Sequence, residues 1–145
     1  MQESVRPIAL GSGIQKRRYT IGHADLTDAD TEQTIELFTL YPNDAIFGVR
    51  IKQSTAFTGG GVGTCTVSVG GAVDGAAAYA TAFNIFQAAA DTTLQWSQCL
   101  KNGTGAAAGQ AVNAVFTVDT TCAALTAGAV DIDVYVMADT VKALS

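Results

Sequence analysis

The chain reads as an all-β protein, an antiparallel sandwich or jelly roll of seven to eight strands with one short helix. Three observations lead there. Val130, Ile132, Val134 and Val136 alternate with Asp131, Asp133, Tyr135 and Met137, the period of two that a strand needs when one face is buried and the other meets water. The same alternation recurs upstream, in Cys65, Val67 and Val69 against Thr64, Thr66 and Ser68, and again in Val112, Ala114, Phe116 and Val118. Turn chemistry separates these runs: a Pro-Asn-Asp turn after Tyr41, a glycine-rich loop from Thr58 to Gly63, and the Asn102-Gly103 pair.

In order, Met1 to Gln15 holds Pro7, Gly11 and Gly13 among Val5, Ile8, Leu10 and Ile14, with no sustained period. It reads as an N-terminal arm that orders when it meets a partner surface, with the sandwich domain running from residue 16 to 145. The basic run Lys16, Arg17 and Arg18 follows. It fits either a solvated strand start or a docking point for an acidic surface.

Tyr19 to Gly22 is a short strand, and the acidic stretch from His23 to Glu32 is a loop. Thr34 to Leu40 is a strand. So is Ala45 to Gln53, with Phe47, Val49 and Ile51 on one face and Arg50 and Lys52 on the other. Gly75 to Phe83 departs from the pattern. It is alanine-rich, and Tyr79, Phe83 and Phe86 fall at i, i+4 and i+7, which predicts a short helix with its rings on one face. Strand returns near Asn84 to Ala88. Thr93 to Lys101 is a strand with Leu94, Trp96 and Leu100 on the inner face. Gln110 to Asp119 is another, and the last begins after Leu125 with Gly128 at its turn.

A chain of 145 residues forms one domain and buries roughly two-thirds of its unfolded surface, so it folds without metal or disulfide support. Its three cysteines, Cys65, Cys99 and Cys122, show no metal spacing and read as free thiols of a protein made in a reducing cytosol. Charged residues are 14% of the chain, against roughly 25% on average. A small protein with so few charges is expected to cover its surface with further copies or a larger partner. A net charge of −5 argues against nucleic-acid binding, and no segment reads as a membrane span.

Nothing converges on catalysis. His23 is the only histidine, and no Ser or Cys motif accompanies it. Asp28, Asp30 and Glu32 alternate as calcium ligands do in some loops, but the turn glycine and twelfth-position glutamate of an EF-hand are missing. The loop from Thr58 to Gly63 lacks the GK[ST] ending of a phosphate loop. Asp131 and Asp133 lie on one outward face, the arrangement of a glycosidase pair or, far more commonly, of a solvated strand face. No catalytic, cofactor-binding or metal-binding residue is expected, and no cofactor.

The stretch Ile21 to Leu40, the Ile-x-x-Val-x-Ile pattern from Ile46 to Ile51, and the closing segment from Leu125 to Val134 resemble those of small virion structural proteins of tailed bacteriophages. The resemblance implies a jelly-roll-like β-sandwich that decorates or cements a capsid, with the major capsid protein or other virion proteins as partners. It also implies a homo-oligomer, a trimer by analogy, synthesised in the bacterial host cytoplasm and resident in the virion. The residues expected to meet partners are Val5, Ile8, Leu10, Ile14, Lys16, Arg17 and Arg18, with Tyr135 and Met137 left outside by strand parity. A carbohydrate- or receptor-binding β module of a phage fibre or adhesin is the alternative. It would need exposed aromatic rings, and the inward parity of Trp96 argues against it.

Overall fold

The computed structural model of the protein describes residues 1–7, 14–42, 44–86, 94–102 and 109–137. They form nine strands: β1 (Gln2–Pro7), β2 (Ile14–Gly22), β3 (Glu32–Leu40), β4 (Ala45–Gly59), β5 (Cys65–Gly71), β6 (Gly75–Asn84), β7 (Leu94–Asn102), β8 (Gln110–Val118) and β9 (Leu125–Met137). Single 3₁₀ turns at His23–Asp25 and Cys122–Ala124 are the helical pieces among the described residues. The strands make two sheets, one of five in the order β1-β2-β9-β4-β7 and one of four in the order β3-β8-β5-β6. Every pairing within them is antiparallel.

With β1 set aside, eight strands remain in two rows, β2-β9-β4-β7 and β3-β8-β5-β6. Every connection between them crosses from one sheet to the other, except the β5–β6 hairpin. That alternation is the jelly roll. The strand β1 is a ninth, added to the free edge of β2.

Between the sheets the alternating residues interlock. Val130, Ile132, Val134 and Val136 of β9 are fully buried, as are Val49 and Ile51 of β4 and Val67 and Val69 of β5. Each such side chain contributes about 1.5–3 kcal/mol over its exposed state. The rings of Phe57 and Phe116 meet across the sheets at 6.0 Å between centroids, tilted by 43°.

Three expectations need correction. The alanine-rich segment from Gly75 to Phe83 is not a helix but β6. Ala80 and Phe83 pair with Val69 and Val67 across a register shift, which brings Ala80 and Phe83 to the buried face, and Tyr79 is buried as well. Pairing with β5 outweighs the helix propensity of alanine. The inward residue at the start of β4 is Ile46, not Phe47. The register shifts between Ile46 and Gly48 against both neighbouring strands, and this bulge absorbs Phe47. The boundary drawn after Gln15 falls inside β2, and Gln2–Pro7 is already paired with β2.

The aromatic partner expected at Phe86 lies half-buried against the core. Gln87 and Ala88, at the end of the strand expected there, lie outside the described residues.

Candidate interaction surface on the five-stranded sheet

Antiparallel register places paired residues on the same face, so the outer face of the five-stranded sheet can be read in rows across the strands. One row runs Gln2, Thr20, Asp131, Lys52; the next runs Ser4, Arg18, Asp133, Arg50. Lys16, Tyr135 and Gly48 form a third, and Ile14, Met137 and Ala45 close the face at the end where the chain enters β2 and leaves β9. Four of the expected contact residues, Ile14, Lys16, Tyr135 and Met137, are therefore brought together. They come from segments more than a hundred residues apart, and strand pairing makes them neighbours. Met137 is 39% exposed, while Ile14, Lys16 and Tyr135 are half-buried.

The second row corrects the reading of the acidic pair. Asp133 is not a solvated outward carboxylate: its side chain is only 2% exposed. Arg18 grips it with two hydrogen bonds, Nε to Oδ1 at 2.7 Å and Nη2 to Oδ2 at 3.0 Å, the fork geometry that suits guanidinium and carboxylate. Arg50 donates to Oδ2 from the other side at 3.4 Å. Two arginine stems cover the acid that parity sends outward, and Asp133 in turn holds the Arg18 guanidinium well above its ordinary range. In the adjoining row the Thr20 hydroxyl donates to Asp131 at 2.7 Å.

The basic run divides because neighbouring strand residues face opposite ways. Lys16 and Arg18 lie on the outer face, whereas Arg17 turns inward, its guanidinium carbon 4.7 Å from the centroid of the Phe38 ring. It also donates to Gln15. Below it Tyr19 stacks on Phe38 at 6.1 Å with the planes 7° apart. Burial, with Glu3 nearby, pushes the Tyr19 hydroxyl up to about 12.

The strand β1 has little side-chain purchase. Met1 to Val5 are all exposed, and Val5, opposite Arg17, is 46% exposed. Among the described residues the second sheet has four strands against the five of this one, and β1 is the added edge strand. A shallow cleft of about 430 Å³ lined by Gln2, Glu3, Ser4, Arg18 and Thr20 runs where β1 meets β2. Of the remaining expected residues, Ile8 and Leu10 lie outside the described residues. Trp96, expected at an inward position, pairs with Arg50 and so falls by register in the outer row; the shift between Ile46 and Gly48 breaks the parity that the sequence suggests.

Elsewhere the polar residues serve the fold. The Gln110 amide oxygen accepts from the backbone of Val73 and Asp74, and Tyr79 donates to Asp74 at 2.7 Å. The Asp119 carboxylate accepts from the amides of Gly63 and Thr64, which holds it below its ordinary range; the glycine-rich loop is thus tied to an acid rather than built around a phosphate. Cys65 is a buried core residue as its parity implies, and burial pushes its thiol up to about 12. Among the described residues no cluster of metal-ligating side chains occurs.

No protein-family model and no curated protein sequence matches the chain. Solved structures do. A chain of the cyanophage Pam1 capsid asymmetric unit is similar at a TM-score of 0.62 and 16% identity, over 96% of this chain and 94% of that one. A chain of the acid-stable capsid of Helicobacter pylori bacteriophage KHP30 is similar at a TM-score of 0.54 and 14% identity, over 86% of this chain and 93% of that one. At such identities the likeness is one of fold, and it covers the jelly roll nearly end to end. Both neighbours come from bacteriophage capsids.

Proposed function

We propose that the protein is a structural component of a bacteriophage virion that decorates or stabilises the capsid through protein–protein contacts, with no enzymatic role. The observation that carries this reading is the near full-length match of the jelly roll to chains of two phage capsids. The major capsid protein or another virion protein is the partner, and the protein itself is a homo-oligomer in the particle. The surface that fits the task is the outer face of the five-stranded sheet at the end carrying Ile14, Lys16, Tyr135 and Met137, together with the arm strand β1. A strand that hydrogen-bonds along one edge while burying none of its described side chains is suited to following a neighbour's backbone, where main-chain bonds give affinity.

The test is co-sedimentation with particles lacking the protein. Deleting residues 1–13 should lower the thermal midpoint of the isolated protein by only a few degrees, since the described side chains removed from the arm contribute nothing to the core, yet abolish stable attachment. A truncated form that binds particles as the full chain does would exclude the arm from the contact. A full chain that never binds would overturn the virion reading.

A further inference from the structure

Charge in this molecule is sorted by layer. Every lysine and arginine of the described residues lies on a strand of the five-stranded sheet, and β3, β5, β6 and β8 carry none. On the outer face of the five-stranded sheet, Lys16, Arg18, Arg50 and Lys52 outnumber Asp131 and Asp133. The opposite outer face has Glu32, Thr34 and Glu36 of β3 beside Thr117, Val115 and Asn113 of β8, so its charges are all negative. Asp28 and Asp30, just before β3, extend that margin; their carbonyls accept from Ala123 and Cys122. Asp28, Asp30, Glu32 and Glu36 are all exposed.

The two charged surfaces do not satisfy each other within one chain. The ion pairs among the described residues join Asp133 to Arg18 and Arg50, and Asp25 to the amino group of Met1. None reaches Lys16, Lys52 or the four exposed acids on and just before β3. Among the described residues, Lys16 and Lys52 thus stand on one layer and Asp28, Asp30, Glu32 and Glu36 at the other.

We propose that copies of this chain associate head to tail, the cationic outer face of the five-stranded sheet of one copy against the acidic β3 margin of the next. The proposal deepens the homo-oligomer part of the reading above and rests on it. A twofold contact through either face would set that face against itself, cation on cation or acid on acid. A heterologous contact sets opposite signs together, and it generates a ring where the rotation closes. The charges choose the face and suppress wrong pairings.

The experiment measures mass in solution against concentration and salt for the full chain. At low salt the wild type should exceed the mass of one chain, and it should dissociate toward one chain as salt shortens the screening length to roughly 3 Å near 1 M. Reversing one face with Lys16→Glu and Lys52→Glu, or the other with Glu32→Lys and Glu36→Lys, should weaken association by about tenfold or more. Combining all four substitutions in one chain puts opposite signs back at the exchanged positions and should recover association relative to either single-face variant. Far-UV spectra check that each variant keeps its strands. Association indifferent to the single-face reversals, or not recovered by the combined variant, would overturn the head-to-tail contact. So would a wild type that stays a single chain at every concentration; if that chain still binds particles, the virion reading stands without it.

Discussion

At the scale of single residues, the unequal exposure of the partners decides what the Arg18–Asp133–Arg50 group contributes. The arginine side chains keep 36% and 32% exposure, whereas Asp133 has 2%. If the acid is neutralised, both guanidinium groups can turn to water; if the arginines go, the acid cannot. Replacing Asp133 by Asn should therefore cost about 1–2 kcal/mol, and replacing Arg18 and Arg50 together by Met about 3–5 kcal/mol, both read from urea unfolding. Equal costs would mean that the acid is as well hydrated as its partners. Asp119 gives a second residue-scale outcome. Its folded-state value lies below the ordinary 3.8 because Gly63 and Thr64 donate to it. The stabilisation it lends is present in full above pH 3.8 and is lost as pH falls from there through the lower folded value. The amide resonances of Gly63 and Thr64 should titrate below 3.8, and in Asp119→Asn they should not titrate at all. The strand parity of Asp133 was legible from the alternation in β9, but its burial was not. Burial comes from Arg18 and Arg50, and which residues face each other across strands is set by register, which no local pattern records.

At the scale of elements, runs in which polar and apolar residues alternate were legible and runs of small residues were not. Clean alternation marked β5, β8 and β9, whereas the alanines of β6 carry no face of their own and take theirs from β5. The nine strands exceed the expected seven to eight because β1, with exposed residues from Met1 to Val5, shows no buried period to detect. Gly128 reads in the sequence as a turn glycine and is instead an element of packing inside β9. Its φ of +138° is one that other residues rarely adopt, and a Cβ there would lie 2.4 Å from the Phe57 ring. Gly128→Ala should cost about 2–4 kcal/mol. Trimming the ring with Phe57→Leu should recover part of that cost and not the rest, since the clash is relieved while the backbone strain stays. Thermal unfolding of the two variants and their combination separates the contributions. Full recovery would leave no part for the dihedral.

At the scale of the whole molecule, the candidate surface and the fold depend on the same strand. β9 is the middle of the five-stranded sheet, paired with β2 along one edge and with β4 along the other. Its inner residues fill the core, and its outer ones, Asp131 to Met137, form the centre of the proposed contact face. The strong alternation that made this segment conspicuous in the sequence reflects its two faces: one is fully buried, and the other carries the proposed contact residues. It also makes folding non-local, since Ile46 pairs with Val136 and Lys16 with Tyr135. Contacts of that separation must close long loops before they return any energy, so refolding should take milliseconds to seconds rather than microseconds. The two ends of the chain should then respond oppositely to damage. Val5→Asp alters an exposed residue on a strand whose described side chains are all exposed, and the stability should move by less than about 0.5 kcal/mol. Val134→Asp places a charge where Val134 is fully buried, opposite Arg17 and Val49 in the register, and should cost more than about 4 kcal/mol. Removing residues 125–145 should abolish the cooperative transition altogether, because β2 and β4 then lose the strand that joins them. A truncated chain that still unfolded in one sharp step would show that β2 and β4 find another arrangement, and that β9 is not the strand on which the jelly roll closes.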